Sequence, residues 1–135
     1  MNTTKFKIIV LFIVFAVITA CSVDVDNGNC SSRYYAPTAG VQGPDSTKVN
    51  TPVTINVAYT IGNTCGAFDS FVENGASYPK TIGALINYTG CNCQQIPLTE
   101  VGHYTFTPPA VGVYELKFVT SDANAPIVKT ITVTQ

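Results

Sequence analysis

The sequence is poor in charge, and its few cations are scattered along the chain. Only 11% of the 135 residues are charged, with 7 Lys and Arg against 8 Asp and Glu. Binding to nucleic acid or to anionic lipid headgroups requires a clustered basic surface, which this sequence does not provide. We therefore do not expect DNA or RNA to be partners of this chain.

Helical periodicity is also missing. No segment repeats apolar residues with a helical period over three turns, whereas Thr, Asn, Gly and Val are abundant. This composition favours strands and turns. The sequence therefore predicts an all-β fold and makes a helical architecture improbable.

Most signatures of catalysis are absent as well. His103 is the only histidine, and strand alternation places it opposite Tyr104, toward solvent. Together with Asp69, Ser70 and Glu100 it supplies the residue types of a hydrolase site, but the sequence context of a nucleophile is lacking. The sequence has no Gly-x-Ser-x-Gly elbow and no glycine-rich phosphate loop. We predict that the protein is not an enzyme and needs no cofactor.

The N-terminal residues have the pattern expected of an export signal. Lys5 and Lys7 precede an apolar run of eleven residues, Ile8 to Ile18. That run is too short for a membrane-spanning helix, which needs about 20 residues, and it suits the core of a secretory signal peptide. Residues 18–21, Ile-Thr-Ala-Cys, resemble the lipobox of bacterial lipoproteins. The resemblance implies cleavage before Cys21 and lipidation of its thiol; an ordinary signal peptide or a signal anchor is the alternative.

Acidic residues follow Cys21 directly. Asp24 and Asp26 resemble the export signal that sends lipoproteins of the Bacteroidetes to the outer face of the outer membrane, although Val25 separates the two acids. A solvated acidic linker is the alternative, so the cell surface and the periplasmic face both remain open. Asn29 completes a spacing somewhat like that of calcium ligands, but no Glu follows it as a calcium loop requires. We predict no metal site here.

With Cys21 assigned to lipidation, four cysteines remain: Cys30, Cys65, Cys91 and Cys93. An exported protein reaches a compartment that permits disulfides between them. A direct bridge between Cys91 and Cys93 would be strained. We therefore expect Cys30 and Cys65 each to pair with one of the later two, and the sequence leaves open which. A metal site of Cys65, Cys91, Cys93 and His103 is disfavoured by its spacing and by the oxidising compartment.

Period-two alternation of apolar residues marks a series of short strands. Its nuclei begin at Val53, Phe68, Lys80, His103, Val113 and Ile127, and a seventh strand is expected before Val53. Regular spacing of short strands points to an antiparallel sandwich of about seven strands. We divide the chain into a signal peptide (1–20), a lipidated Cys with a flexible tether (21–45), whose later part can dock as a first strand, and a sandwich domain (46–135).

The segment from Pro108 to Phe118 resembles the approach to strand F of immunoglobulin-like (Ig-like) sandwiches, where Gly-x-Tyr places a tyrosine at a corner. This resemblance implies that Tyr114 packs its ring in the core while its hydroxyl bonds to nearby backbone, and that Gly112 permits a tight approach. Over residues 45–135 the chain is similar to small Ig-like lipoproteins of the Bacteroidetes. It departs from antibody-type domains because it has no Trp and because Cys65 and Cys91 are not at the usual strand centres.

Two surface features bear on function. Residues 45–47, Asp-Ser-Thr, resemble the O-glycosylation motif of exported Bacteroidetes proteins, which makes Ser46 a candidate site; a plain turn is the alternative. Tyr34, Tyr35 and Tyr78 can form a binding surface for glycan or protein, or can simply cover the end of the sandwich.

The sequence therefore predicts a lipid-anchored, non-catalytic Ig-like domain of the outer membrane. The expected role is that of a binding or accessory module for an unknown protein or glycan. The alternative is a structural envelope or assembly subunit that pairs strand edges with its neighbours.

Overall fold

A computed structural model describes residues 30–135, and these residues form strands without any helix. The signal peptide, Cys21 and residues 22–29 lie outside the described residues. The prediction of an all-β fold is confirmed for this part of the chain. The strands are β1 (Ser31–Ala36), β2 (Thr38–Gln42), β3 (Ser46–Lys48), β4 (Val53–Ile61), β5 (Gly66–Asn74), β6 (Lys80–Thr89), β7 (Leu98–Phe106), β8 (Gly112–Phe118) and β9 (Ile127–Thr134).

The strands form two sheets. The larger sheet has six strands in the order β1-β6-β8-β9-β3, with β5 on the other edge of β6, and the smaller sheet has the order β2-β4-β7. Strands β1 and β8 share one edge of β6: β1 pairs antiparallel with its second half and β8 pairs parallel with its first three residues. The other parallel pair joins β3 to β9.

The chain changes sheet at Pro37, between β1 and β2. The main-chain oxygen of Pro37 accepts a hydrogen bond of 3.0 Å from Thr60 in β4, and the amide of Thr38 donates one of 2.8 Å to Val119, just after β8. Because proline has no N–H, it leaves no ladder donor unpaired at the crossing. One short segment therefore links both sheets.

Both sheets contribute to one apolar interior. The larger core cluster is made of Ile55, Val57, Ile82, Tyr104, Phe106, Tyr114, Leu116, Phe118, Ile131 and Val133. A second, smaller core cluster is made of Ala36, Tyr59, Ile61, Ala84 and Ile86. Alternating apolar side chains of β6, β7, β8 and β9, such as Ile82, Tyr104, Leu116 and Ile131, are buried. Two sheets that enclose a common core are consistent with a β-sandwich.

The predicted strand count and domain boundary need correction. Five of the six predicted strands begin within two residues of the expected position, whereas β7 begins at Leu98, five residues before His103. Three strands rather than one precede Val53, which makes nine in the described range. The segment 31–42, assigned to the tether, forms β1 and β2, so the folded domain begins before residue 46. The alternation does not indicate β1 and β2 separately, because only Ala36 and Thr38 in them are buried. Their stability comes from backbone ladders instead of an apolar stripe.

Candidate binding cleft at the disulfide end

Both disulfides lie at the end of the domain where β1 begins and β6 ends. Cys30 is bonded to Cys91, and Cys65 is bonded to Cys93, with Cα separations of 5.1 and 5.5 Å. The expectation that Cys30 and Cys65 each pair with one later cysteine is confirmed, and the partners left open by the sequence are now assigned. All four sulfurs are therefore engaged in disulfides and are not thiolate ligands for a metal.

Hydrogen bonds reinforce the disulfides around the loop of residues 90–97. The amide of Gly90 donates to the oxygen of Cys30 at 2.8 Å, and the amide of Thr64 donates to the oxygen of Gln94 at 3.1 Å. The amide of Gln94 in turn donates to Thr64 Oγ1 at 3.1 Å. The loop is thus tied both to the start of β1 and to the β4–β5 connection.

Between these tied segments lies an open cleft of about 440 Å³. Its lining residues are Cys30, Ser31, Ser32, Tyr34, Gly62, Asn63, Tyr88, Gly90, Cys93 and Gln95. We call this feature the tyrosine cleft, because Tyr34 and Tyr88 stand beside each other with ring centroids 6.2 Å apart and planes inclined at 56°. Its volume falls within the ordinary range of small-molecule sites, roughly 300 to 1,000 Å³.

The ladder between β1 and β6 explains why Tyr34 lines the cleft. Tyr34 is opposite Ile86, and residues directly opposite in an antiparallel pair share a face of the sheet. Ile86 is fully buried, whereas Tyr34, on the edge strand β1, remains 65% exposed. Tyr34 therefore presents its ring to solvent on the inner side of the sheet.

Tyr88 is held in place by two glycines. The amide of Gly62 donates a hydrogen bond of 3.2 Å to Tyr88 Oη. A Cβ atom on Gly66 would lie 2.7 Å from Tyr88 Cε1 and 2.3 Å from Ile61 Cγ2, closer than real contacts allow. Only glycine at position 66 lets β5 approach Tyr88 this closely, so the ring has a defined position.

The polar groups of the tyrosine cleft are neutral. Hydroxyls come from Ser31, Ser32 and the tyrosines, and amides come from Asn63 and Gln95. Asn63 Oδ1 accepts a hydrogen bond of 3.0 Å from the amide of Cys65, which fixes the side-chain orientation. Such a lining can hold a polar ligand through hydrogen bonds, and it contains no carboxylate or imidazole for proton transfer.

The three tyrosines singled out from the sequence do not form one surface. Tyr35 lies on the opposite face of β1 from Tyr34, with its ring packed over Gly83, where a Cβ atom would be 2.6 Å from Tyr35 Cδ1. Tyr78 is half-buried at the other end of the domain, edge-on to Tyr114 at a centroid distance of 4.6 Å. Of these three, only Tyr34 lines the cleft, and no local sequence pattern identifies its neighbour Tyr88.

The hydrolase-like set is dispersed over the two sheets. His103 Nδ1 is 2.8 Å from Asn56 Oδ1 on the outer face of the smaller sheet. Asp69 and Ser70 lie on β5 of the larger sheet, where Ser70 Oγ donates to Asp69 Oδ2 at 3.0 Å. Glu100 faces Tyr59, whose pKa is raised to about 12 by burial first and by Glu100 second. These residues do not assemble into one site.

A polar network that the sequence did not reveal crosses β1, β6 and β5. Arg33 binds Asn87 Oδ1 and Asp69 Oδ2, both at 2.6 Å, and Asn87 Nδ2 donates to Asp69 Oδ1 at 3.1 Å. The hydrogen bond from Ser70 and the Arg33 guanidinium hold the pKa of Asp69 below its usual value. The charge of Arg33 is thereby paired on the outer face, away from the tyrosine cleft.

The remaining sequence candidates are placed as follows. Ser46 is exposed and begins β3, so the alternative of a plain turn is wrong for residues 46–48. Tyr114 Oη donates a hydrogen bond of 2.9 Å to the oxygen of Ala110. Gly112 has a φ of 155°, and a Cβ there would meet only Tyr114 Cε2 at 3.9 Å, so backbone conformation and not close approach accounts for the glycine.

Within residues 30–135, no group of three or more His, Cys, Asp or Glu is arranged to hold a metal ion. No helix of this range is long and apolar enough to cross a membrane. The candidate lipidation residue Cys21, the acids Asp24 and Asp26, and Asn29 lie outside the described residues. No protein-family model, curated protein or solved structure matches the chain.

Proposed function

We propose that this chain is a lipid-anchored, non-catalytic Ig-like domain of the bacterial outer membrane that acts as a binding or accessory module. The tyrosine cleft carries the proposal. It is a concave site with two positioned aromatic rings and several neutral hydrogen-bonding groups, and two disulfides brace its walls. A site that is rigid before binding loses less entropy when it takes up a ligand, which favours recognition.

The Ig-like assignment is supported by the corner at Tyr114. Its hydroxyl bonds to the backbone four residues upstream, and Tyr114 lies at the start of β8, as the tyrosine of an Ig-like strand F does. Two features differ from antibody-type domains. The short β6–β8 pairing is parallel, and the disulfides join segments at one end of the domain instead of the centres of two facing sheets.

Membrane attachment rests on Cys21 and the lipobox-like residues before it. Metabolic labelling with an alkyne fatty acid tests this attachment. We expect the wild-type protein to incorporate the label and the Cys21→Ser variant to lose it, with Cys30→Ser as a matched control that keeps it. Equal labelling of wild type and Cys21→Ser would contradict the anchor.

Protease shaving of intact producing cells tests exposure at the cell surface. Release of peptides from the region between Arg33 and Lys129 would place the domain outside the cell and support Asp24 and Asp26 as an export signal. Cleavage only after the outer membrane is opened would overturn surface exposure and place the domain on the periplasmic face.

A structural role in assembly is the second candidate, and the free edge of β7 favours it. Among the described residues β7 pairs only with β4, and its nine residues contain no Pro, no Lys and no bulge. Exposed edges are usually protected by such features, because an unprotected edge can add a strand from another chain. The other long edge, β5, does carry a bulge, between Phe68 and Ser70.

Two variants separate the candidates. Val101→Lys places a charge on the exposed edge β7 and should abolish cross-linked oligomers in cells if β7 pairs with a neighbour. Deletion of residues 126–135 removes β9, which lies between β8 and β3 and buries Ile131 and Val133. Unfolding on this deletion would show that β9 belongs to the fold of its own chain, whereas a protein that stays folded and loses assembly would show that β9 is a donor strand.

A further inference from the structure

We propose that the tyrosine cleft binds a neutral saccharide, with one sugar ring packed against Tyr34. This inference rests on the proposed function and deepens it by assigning the chemical class of the ligand. Four properties of the cleft carry it: the charge of the lining, its hydrogen-bonding groups, the two aromatic rings, and the state of the surrounding backbone.

The charge of the lining excludes ionic ligands. None of the ten lining residues is charged. The nearest cation in sequence, Arg33, points to the other face of β1 and is paired with Asp69 at 2.6 Å. A phosphate or carboxylate on the ligand would lose its hydration without gaining an ion pair, which is costly. The cleft therefore suits an uncharged polar molecule.

The hydrogen-bonding groups match a sugar that carries hydroxyls around its ring. Amides offer both donors and acceptors, and each serine or tyrosine hydroxyl can do either. Because Asn63 Oδ1 is already engaged by the amide of Cys65, the Nδ2 group of Asn63 is oriented by that bond and serves as a donor. Gln95 and Ser32 supply further partners on the cleft walls.

The two rings provide the apolar complement. A pyranose exposes C–H groups on its faces, and these pack against an aromatic face while the hydroxyls at the ring edge stay free for hydrogen bonds. Tyr34 offers such a face because it is 65% exposed on a paired strand. Tyr88, whose ring is inclined at 56° to that of Tyr34, adds a second aromatic surface beside it. Tyrosine gives this contact area at low conformational cost.

The backbone at the end of β6 argues against an extended peptide that adds to this strand inside the cleft. Strand addition requires unpaired main-chain groups along an edge. Here the amides of Thr89 and Gly90 are bonded to the oxygens of Cys65 and Cys30 at 3.2 and 2.8 Å. On the β6 side of the cleft, the side chains and not the main chain are therefore the groups that remain to meet a ligand.

The test uses the full-length protein in a detergent without a sugar headgroup. Isothermal titration is carried out with neutral tetrasaccharides of glucose, mannose, galactose and N-acetylglucosamine, and with a tetragalacturonate as the acidic counterpart. Tyr34→Ala is the test variant. Tyr35→Ala is the matched control, since it removes the neighbouring exposed tyrosine from the opposite face of the same strand. Thermal unfolding verifies that both variants fold.

We expect at least one neutral tetrasaccharide to bind with a Kd of about 1 mM or tighter. Tyr34→Ala should weaken this binding by about tenfold or more, and Tyr35→Ala by less than about twofold. The tetragalacturonate should bind at least about tenfold more weakly than the neutral ligand. Absence of neutral binding, equal binding by Tyr34→Ala, or preference for the acidic ligand would each overturn the inference.

A benzophenone cross-linker at position 34, activated in producing cells, distinguishes this inference from the wider proposal. A protein adduct without saccharide binding in vitro would overturn the saccharide inference and leave a binding module for protein. Neither adduct nor saccharide binding would overturn both.

Discussion

Tyr104 Oη donates a hydrogen bond of 2.7 Å to Glu73 Oε1, which joins β7 of the smaller sheet to β5 of the larger one. Lys80 Nζ binds the other carboxylate oxygen at 2.5 Å. Lys80 first and Tyr104 second hold the pKa of Glu73 below its usual value. Burial, followed by Glu73, raises the pKa of Tyr104. One edge strand of each sheet, β5 of the larger and β7 of the smaller, is thus connected to the other through one carboxylate.

Acid should weaken this connection. A lowered pKa in the folded state means that the Glu73 carboxylate contributes stability that is complete above the usual pKa of 4.5 and is lost as the pH falls through the folded value. We expect Glu73→Gln to cost about 1 kcal/mol near neutral pH, because the carboxylate is partly exposed and screened. The variant should also lose less stability than wild type when the pH is lowered to about 3.

Denaturant unfolding at both pH values measures these effects. Glu115→Gln is the control, because Glu115 is exposed on β8 and the described residues give it no hydrogen bond or ion pair. If Glu73→Gln and Glu115→Gln behave alike at both pH values, the connection between the edges contributes nothing to stability.

The disulfide pairing predicts which double variants are left with free thiols. Tryptic peptides cannot resolve the pairing, because Cys91 and Cys93 lie between the same two lysines, Lys80 and Lys117. A matched double variant, Cys65→Ser with Cys93→Ser, should leave Cys30 and Cys91 bonded and alkylation-resistant in denaturant. It should lose about 3 to 4 kcal/mol, the chain-entropy value for a link across 28 residues.

The mismatched control combines Cys65→Ser with Cys91→Ser. It breaks both disulfides and leaves Cys30 and Cys93 without their partners, so mass spectrometry should detect two alkylated thiols. Two alkylated thiols in the matched variant instead would contradict the assigned pairing.

Glycine at position 66 should be required for stability. Gly66→Ala places a Cβ 2.3 Å from Ile61 Cγ2, and we expect a loss of about 1 to 3 kcal/mol from overpacking. Gly40→Ala is the control: its Cβ would have no neighbour within 4 Å, so it should leave stability unchanged or slightly raised. Thermal unfolding compares the two. A Gly66→Ala protein as stable as Gly40→Ala would show that Tyr88 is not confined as described.

The corner hydrogen bond should be measurable by removing one oxygen atom. Tyr114→Phe keeps the ring in the core and deletes the bond to Ala110, which should cost about 1 kcal/mol. Tyr35→Phe is the control, since Tyr35 is exposed and its hydroxyl has no hydrogen bond within residues 30–135. Urea unfolding of both variants gives the difference. No loss in Tyr114→Phe would mean that water replaces the bond without cost.

Alternation of apolar residues predicts β4, β6, β7, β8 and β9, because each of them has buried side chains along one face, whereas β5 has no buried residue. In β7, for example, Tyr104 and Phe106 are buried while His103 and Thr105 are exposed. The same signal is missing from β1 and β2. Those strands are specified by long-range pairing with β6 and β4 and by the Cys30–Cys91 bond, which no local pattern encodes.

The tyrosine cleft was only partly predictable for a related reason. Alternation separates Tyr34 from Tyr35, but the side of β1 that forms a cleft depends on the register that sets Tyr34 opposite Ile86. Tyr88 is not identifiable from the local sequence, because the position of its ring depends on Gly62 and Gly66, which are distant in sequence. The Arg33–Asp69 pair is likewise formed by residues far apart in the chain.

Cys30 lines the cleft and is only nine residues after Cys21. If Cys21 carries the lipid that we propose, even a fully extended segment between Cys21 and Cys30 would hold this end of the domain within about 30 Å of the bilayer. The corner at Tyr114 is at the opposite end, because β7 starts beside the cleft and runs away from it. With this proposed anchor, the cleft would lie at the membrane-proximal end of the domain, and molecules attached to the membrane would reach it over a shorter path than molecules arriving from a distance.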